Sequence, residues 1–400
     1  MSQSGKWTGG EWLNDLFEQE LSRRGAEHQL RKRIPLTTID SVHVEIDGRR
    51  YVNFASNDYL GLSHHPAVIR AVQEALAKYG AGSGASALVS GFTEAHRSAE
   101  EAIARWKGSE AAVLLPSGYQ AAHAIVQTIA ATDELHQGGV RFLLDKLCHA
   151  SLVDAVRGSG RVFRVFPHNN LEKLERLLGD ALEGQLQIVV TESIFSMDGE
   201  AADLEGIGKL KQRYPFLLVL DEAHGSGVYG RDGAGYAAEK GFADLADVSL
   251  VTLSKAAGVA GGAVCGTRIF CDGVVNWGRA YVYSTAIPAA VASAIEAAIG
   301  VMKAEPQRQE RVRELARRVR EELKSGGQKI SEGDSPIIPV ILGSEKRAME
   351  AANSLREKQI LAIAIRPPTV ARETSRLRIT LSCDHSDEEI DRLIKALRGI

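Results

Sequence analysis

Phe216-Leu217-Leu218-Val219-Leu220-Asp221-Glu222-Ala223-His224-Gly225 is an apolar run that ends on a carboxylate and then turns through small residues and a histidine. The run is continuous rather than alternating, the pattern of a strand covered on both faces. Similar runs stand at 111–115, 142–144, 162–166, 188–191 and 248–253. Segments with helical spacing, such as 171–178 and 204–214, lie between them. Strand–helix–strand repetition predicts an α/β domain on a largely parallel sheet. Ligands of such sheets bind beyond the carboxyl ends of the strands, which is where Asp221 and His224 fall.

Outside this region the pattern changes. Residues 288–324 read as helix, with Pro306 breaking it or starting a second helix. Gly326, Gly327 and Gly333 then loosen the chain. A smaller α+β unit follows, with strands at 336–342 and 377–381 and a helix at 345–358. Ser386-Asp387-Glu388-Glu389 is a capping box that opens a last helix, with Ile390, Leu393, Ile394 and Leu397 on one face. The N-terminal residues read as a helix plus a strand at 41–46, joined to the small unit. The expected division is an N-terminal helix-and-strand segment (1–50), a large ligand-binding domain (51–287), and linking helices with a small α+β domain (288–400).

Of the 400 residues, 44% are hydrophobic and 25% charged, which excludes disorder as the dominant state. Lys and Arg number 48 against 51 Asp and Glu, a net charge of −3. That balance argues against broad electrostatic binding to nucleic acid or to an anionic membrane. Cys148, Cys265, Cys271 and Cys383 form no C-x-x-C pair, so neither a zinc site nor a dithiol redox motif is suggested. They read as reduced thiols of a cytoplasmic protein. Residues 1–10 are polar and lack a signal-peptide core. The longest mostly apolar stretch, 288–302, is short of the ~20 residues a membrane helix needs, and Glu296 interrupts it.

Two strings misdirect. Gly82-Ser83-Gly84-Ala85-Ser86-Ala87 matches a dinucleotide-binding pattern, but it follows a helix-period segment (67–79) where that motif needs a strand. Asp221-Glu222-Ala223-His224 spells a helicase box. A helicase also needs a phosphate loop, and neither Gly5-Lys6 nor Gly208-Lys209 lies in that context.

The chemistry-bearing residues gather at strand ends. Asp221 is a carboxylate at the end of a buried run, costly unless a cation meets it. Lys255 follows the run 248–253, with Thr252 and Ser254 beside it and Gly258, Gly261 and Gly262 after it. An amine to bond an aldehyde, an acid to face a ring nitrogen and hydroxyls for a phosphate are what a pyridoxal-phosphate site requires. Ser117-Gly118-Tyr119 lies between the run 111–115 and a helix, where a glycine turn offers N–H groups and a positive dipole end to a phosphate. His149 follows 142–144, placed to stack on a flat ring, and Glu192 and Ser196 follow 188–191 on the same edge.

These segments resemble the α-oxoamine synthases, pyridoxal-phosphate enzymes of the aspartate-aminotransferase fold. The resemblance runs from about Arg31 nearly to the C-terminus. It includes Asn53-Phe54-Ala55-Ser56-Asn57-Asp58-Tyr59-Leu60-Gly61-Leu62, Gly82-Ser83-Gly84, Ser90-Gly91, His149-Ala150-Ser151-Leu152 and Glu192-Ser193-Ile194-Phe195-Ser196-Met197-Asp198-Gly199. It continues through Asp221-Glu222-Ala223-His224-Gly225, Thr252-Leu253-Ser254-Lys255 and Tyr283-Ser284-Thr285. The resemblance implies a large, mostly parallel seven-stranded sheet plus a smaller α+β domain. One departure is Ala256-Ala257-Gly258, where relatives more often carry a bulky residue before the glycine.

The family's roles carry over onto matching positions. Lys255 is implied to bond the cofactor and act as general base, Asp221 to keep its ring nitrogen protonated, and His149 to stack on the ring and assist decarboxylation by hydrogen-bonding the developing oxyanion. His224 and Ser196 fall near the phenolic oxygen. Ser117, Gly118, Tyr119, Thr252 and Ser254 belong to the phosphate and cofactor contacts. The family's homodimer implies that Ser284 and Thr285 reach the partner's phosphate. Arg366 is implied to pair with the amino-acid carboxylate, with Asn57 as a second contact. Arg31, in the run Arg31-Lys32-Arg33, is implied to help bind the acyl donor; the other reading of that run is a solvated charge cluster.

Within the family, Ile365-Arg366-Pro367-Pro368-Thr369-Val370 followed by Arg376-Leu377-Arg378 points to the members that condense L-alanine with a pimeloyl thioester, of coenzyme A or a carrier protein, in biotin biosynthesis. The alternative is a sibling that joins glycine to acetyl-CoA. A non-catalytic partner subunit is a third reading, which retention of Lys255, Asp221, His149 and Arg366 argues against.

Overall fold

The computed structural model describes residues 10–400; the polar residues 1–9, with Gly5-Lys6 among them, lie outside the described residues. The chain begins with helix α1 (Glu11–Ala26). Three short strands follow, β1 (Thr37–Thr38), β2 (His43–Ile46) and β3 (Arg49–Asn53). Asp47 and Gly48 join β2 to β3 with φ of 51° and 73°, the positive values that a two-residue type I′ hairpin turn demands.

The large sheet has seven strands: β4 (Ala111–Leu115), β5 (Val140–Asp145), β6 (Val162–Phe166), β7 (Leu186–Glu192), β8 (Leu217–Asp221), β9 (Val248–Thr252) and β10 (Gly262–Gly266). They lie side by side in the order β4-β10-β9-β8-β7-β5-β6. All pairings are parallel except the two made by β10. Helices α2 (Pro66–Tyr79) and α3 (Glu94–Lys107) precede them, and α4 (Gly118–Ala130), α5 (Ala150–Gly158), α6 (Leu171–Gly179) and α7 (Leu204–Lys211) are among the helices between. Because side chains alternate along a strand, Ile188, Val190 and Val219 pack toward α4 and α5, whereas Val189, Leu218 and Leu220 pack toward α6 and α7. Continuous apolar runs therefore follow from helices on both faces. The run 162–166 is different from the expectation: β6 is the sheet's edge, and Val162 and Val165 are about half exposed. β10 is a strand among the glycines after Lys255, where no strand was read.

Pro306 separates helices Ala289–Ala304 and Gln307–Ser325, which lead to the small unit. There β11 (Ile337–Gly343), β12 (Ile360–Leu361), β13 (Ile363–Ile365) and β14 (Ser375–Thr380) alternate with helices Glu345–Glu357 and Asp387–Leu397. β11, β14 and β13 form one antiparallel sheet. β12 pairs in parallel with β3, so the N-terminal strands extend the C-terminal unit, and they do so through Asn53. The capping box forms: Ser386 Oγ accepts from Glu389 N, and Glu389 accepts from Ser386 N. Among the described residues no helix is long and apolar enough to cross a membrane.

Candidate active site

Strand ends build the site. Ser117 follows β4, His149 follows β5, Glu192 ends β7, Asp221 ends β8 and Thr252 ends β9. Glu192 and Asp221 sit opposite each other in register. Together with Gly118, Tyr119, Ser196, His224, Ser254 and Lys255 these residues line one cavity of about 220 Å³. Ser151, Ala223 and Leu250 complete the wall.

Each group is held by the local backbone. Ser117 caps α4, its Oγ accepting from Gln120 N at 3.2 Å. That leaves the Gly118 and Tyr119 N–H groups at the helix start without an intrahelical acceptor. His149 caps α5: its Nδ1 accepts from Ser151 N at 3.2 Å and lies 2.8 Å from Ser151 Oγ. Asp221 Oδ1 accepts from Ala223 N at 2.8 Å. Close approach of two glycines shapes the phosphate end. A Cβ on Gly118 would lie 2.4 Å from Thr252 Oγ1, and one on Gly262 would lie 2.4 Å from Gly118 N. The small Ala256 is matched in the same way, since a Cβ on Gly227 would fall 2.4 Å from the Ala256 Cβ.

Burial dominates the electrostatics. It pushes the Asp221 carboxyl up to about 6 against the pull of Lys255. It raises Glu192 well above the usual carboxylate range, helped by the Asp221 charge. It lowers the Lys255 ammonium, although Asp221 and Glu192 oppose the change. It takes His224 well below the ordinary histidine value and His149 below it too, with Lys255 adding to both. The cavity thus favours neutral imidazoles and an amine that gives up its proton readily.

The donor set fits pyridoxal phosphate. Free N–H groups at a helix start suit a phosphate, the buried Asp221 carboxyl suits a ring nitrogen, and the Lys255 amine suits the aldehyde. The buried Glu192 Oε1 has no hydrogen-bond partner among the described residues, which marks polar capacity that the protein alone leaves unused.

Five predicted residues do not line this cavity: Arg31, Asn57, Ser284, Thr285 and Arg366. Arg366 and Arg31 share a second cavity of about 750 Å³, between residues 25–34 and 361–369, where Arg366 donates to the His28 carbonyl and Arg31 to Thr369 Oγ1. Thr285 bridges to Ser86, and its neighbour Ser284 accepts from Gln120 Nε2 at 2.9 Å. Asn57 Oδ1 accepts from Arg378 Nη1 at 3.0 Å and lies 3.2 Å from the Tyr59 hydroxyl.

Arg378 is the cation that sequence reading passed over. From β14 its Nε donates to the Ser196 carbonyl at 2.7 Å, and it is nearly buried. Tyr59 was also passed over; its hydroxyl lies 2.7 Å from His224 Nδ1. The signal for Arg378 is a strand in which arginines at 376 and 378 alternate with Leu377 and Ile379.

Residues 49–397 match the family model for class I and II aminotransferases. An 8-amino-7-oxononanoate synthase of Klebsiella pneumoniae is 40% identical over 96% of this chain and 98% of its own length. That of Chromobacterium violaceum is 42% identical over 92% and 94%. Among solved structures, a serine palmitoyltransferase of Sphingomonas wittichii superposes with a TM-score of 0.89 over 98% of both chains at 25% identity. The chain belongs to the class I and II aminotransferase family, in its α-oxoamine synthase branch, beside the 8-amino-7-oxononanoate synthases.

Proposed function

We propose that this chain condenses L-alanine with a pimeloyl thioester, of coenzyme A or a carrier protein, to give 8-amino-7-oxononanoate, carbon dioxide and the free thiol. The reaction belongs to biotin biosynthesis, and the enzyme works in the cytoplasm as a homodimer. The observation that carries this reading is one cavity holding Lys255, Asp221, His149 and His224, in a chain about 40% identical to 8-amino-7-oxononanoate synthases over nearly its whole length.

Bound there, pyridoxal phosphate supplies an electron sink next to the amino acid's Cα. Lys255 supplies the amine that holds the cofactor, and its lowered affinity for protons suits it to take the Cα proton afterwards. Asp221 would hold a protonated ring nitrogen as its carboxylate, because an opposite charge favours the ionised form. His149 keeps Nδ1 occupied by the Ser151 N–H, so its proton sits on Nε2 and its ring orientation is fixed. The Gly118 and Tyr119 N–H groups, with Thr252 and Ser254, would hold the phosphate, and Ser196 with His224 would face the ring oxygen. Arg366 and Asn57 bind the alanine carboxylate, and Arg31 the acyl donor. Thr285, with Ser284, serves the partner's site; the neighbouring Tyr283 and Val89 are three-quarters exposed, as a dimer surface requires.

The test is thiol release from acetyl-, succinyl- and pimeloyl-CoA with alanine or glycine. Turnover with alanine and pimeloyl-CoA at least tenfold above every other pair is the expected result. Preference for glycine and acetyl-CoA would assign the chain to a sibling activity.

A further inference from the structure

Tyr59, which the reaction scheme above does not use, forms a buried pair with His224. Tyr59 is 0% exposed and His224 3%. Their contact, 2.7 Å from the phenol oxygen to Nδ1, is a short hydrogen bond. Among the described residues the phenol has one other acceptor, Asn57 Oδ1, at 3.2 Å. That distance lies outside the usual range of about 2.5–3.0 Å for an O–H···O bond. Asn57 Oδ1 is also supplied by Arg378 Nη1 at 3.0 Å. The phenol proton therefore goes to His224. The imidazole is neutral, since burial and the Lys255 charge disfavour its cation, and burial pushes the phenol up to about 12. A neutral ring that accepts at Nδ1 carries its proton at Nε2. No protein group among the described residues bonds Nε2, and His224 lines the cavity.

We propose that Tyr59 is a positioning residue that fixes the His224 tautomer, so that the ring presents an Nε2–H donor to the cavity. Arg378, from β14, and Asn57 hold Tyr59's surroundings, so β14 is linked to His224 through this pair. The proposal rests on the cavity being the pyridoxal-phosphate site, where an anionic ring oxygen needs a donor rather than a lone pair.

The experiment is solid-state NMR of the full chain labelled with ¹⁵N-histidine, without cofactor and after addition of pyridoxal phosphate. His224 is assigned by the signals missing in His224→Gln. In the wild type, Nε2 is protonated and Nδ1 is not, in both states. In Tyr59→Phe the signals divide between the two tautomers. In the same variant kcat falls about five- to tenfold, the loss of one hydrogen bond, while the KM for alanine stays within about twofold. A proton on Nδ1 in the wild type, or an unchanged pattern in Tyr59→Phe, overturns the proposal. Should Tyr59→Phe fail to fold, the wild-type spectrum decides alone. Borohydride fixation of the cofactor tests the functional reading separately: label absent from Lys255 defeats that reading, while the cofactor-free spectrum still judges the tautomer.

Discussion

The cavity at the ends of β4, β5, β7, β8 and β9 is walled by strand termini and helix caps, whereas the one between residues 25–34 and 361–369 is walled by the chain after α1, the short strands β12 and β13, the loop after them and one face of the helix Glu345–Glu357. In the first, Glu192, Asp221 and His224 are all less than 5% exposed, and burial sets their protonation. In the second, Arg31 and Lys32 are exposed to water, and Arg366 is half-buried, where burial and then the Arg31 charge disfavour its cation. Low dielectric makes the first a place where protons move. A hydrated cationic rim over apolar Leu361, Ile363 and Ile365 makes the second a place where an anionic, partly apolar molecule is gathered.

The sharpest way to break that contrast is Lys255→Ala. It should give a folded protein whose turnover drops by about 10⁴-fold or more and which borohydride no longer labels. Arg31→Ala should keep the label. If both variants lose it, the two cavities are not separate in function.

Asp221→Asn comes next. Exchange of the alanine Cα hydrogen with deuterium should slow by about 10²–10⁴-fold. Without cofactor the same carboxyl has a second signature. Folded Asp221 titrates near 6 against 3.8 in the unfolded chain, so it holds its proton longer when folded. Wild-type stability should fall as pH rises from about 4 to about 6 and level off above. Urea midpoints across that range should show the fall in the wild type and not in Asp221→Asn.

Lys107→Met tests what stiffens the first cavity. Lys107 and Glu222 are a buried ion pair, 6% and 2% exposed, and Lys107 also reaches Ser226 and the Ala234 carbonyl. Removing the ammonium strands a carboxylate beside Asp221 and should cost about 3–5 kcal/mol, read as a lower urea midpoint. Little change would mean that Glu222 is satisfied by the Tyr236 and Ala237 N–H groups alone.

The smallest effect bears on the boundary between the cavities. Arg366→Lys keeps the charge and loses the planar fork, so the KM for alanine should rise about tenfold and that for the thioester much less. The opposite split would give Arg366 wholly to the second cavity and leave Arg378 as the carboxylate's cation.

How much of this was legible in the sequence follows the same division. Strand ends announce themselves, because apolar runs stop at polar residues and glycines: Asp221, His149 and Ser117 were found that way and line one cavity. The helix boundaries at Pro306 and Ser386 were legible because proline and capping residues act locally. β10 was missed because its glycines, needed where Gly262 meets the backbone of Gly118, look like loop. Arg378 was missed because a charged strand residue ordinarily faces water, and only the packing of β14 on the loop after β7 buries it. The placement of Arg31 with Arg366 joins positions more than 300 apart, which no local pattern encodes.

The alternation in β14 has a consequence for assembly. Arg376 bonds Asp198 and Arg378 bonds the Ser196 carbonyl, while Leu377 and Ile379 enter the core on the opposite face. A strand slipped by one residue would drive two guanidinium groups into that core and aim two aliphatic chains at the loop. Such an error disables both sides at once. The arginines thus act as proofreaders of the small sheet's register, and a molecule that has mispaired β14 also lacks the hydrogen bonds behind Tyr59 and Ser196. Fidelity of folding and competence of the site are secured by the same two side chains.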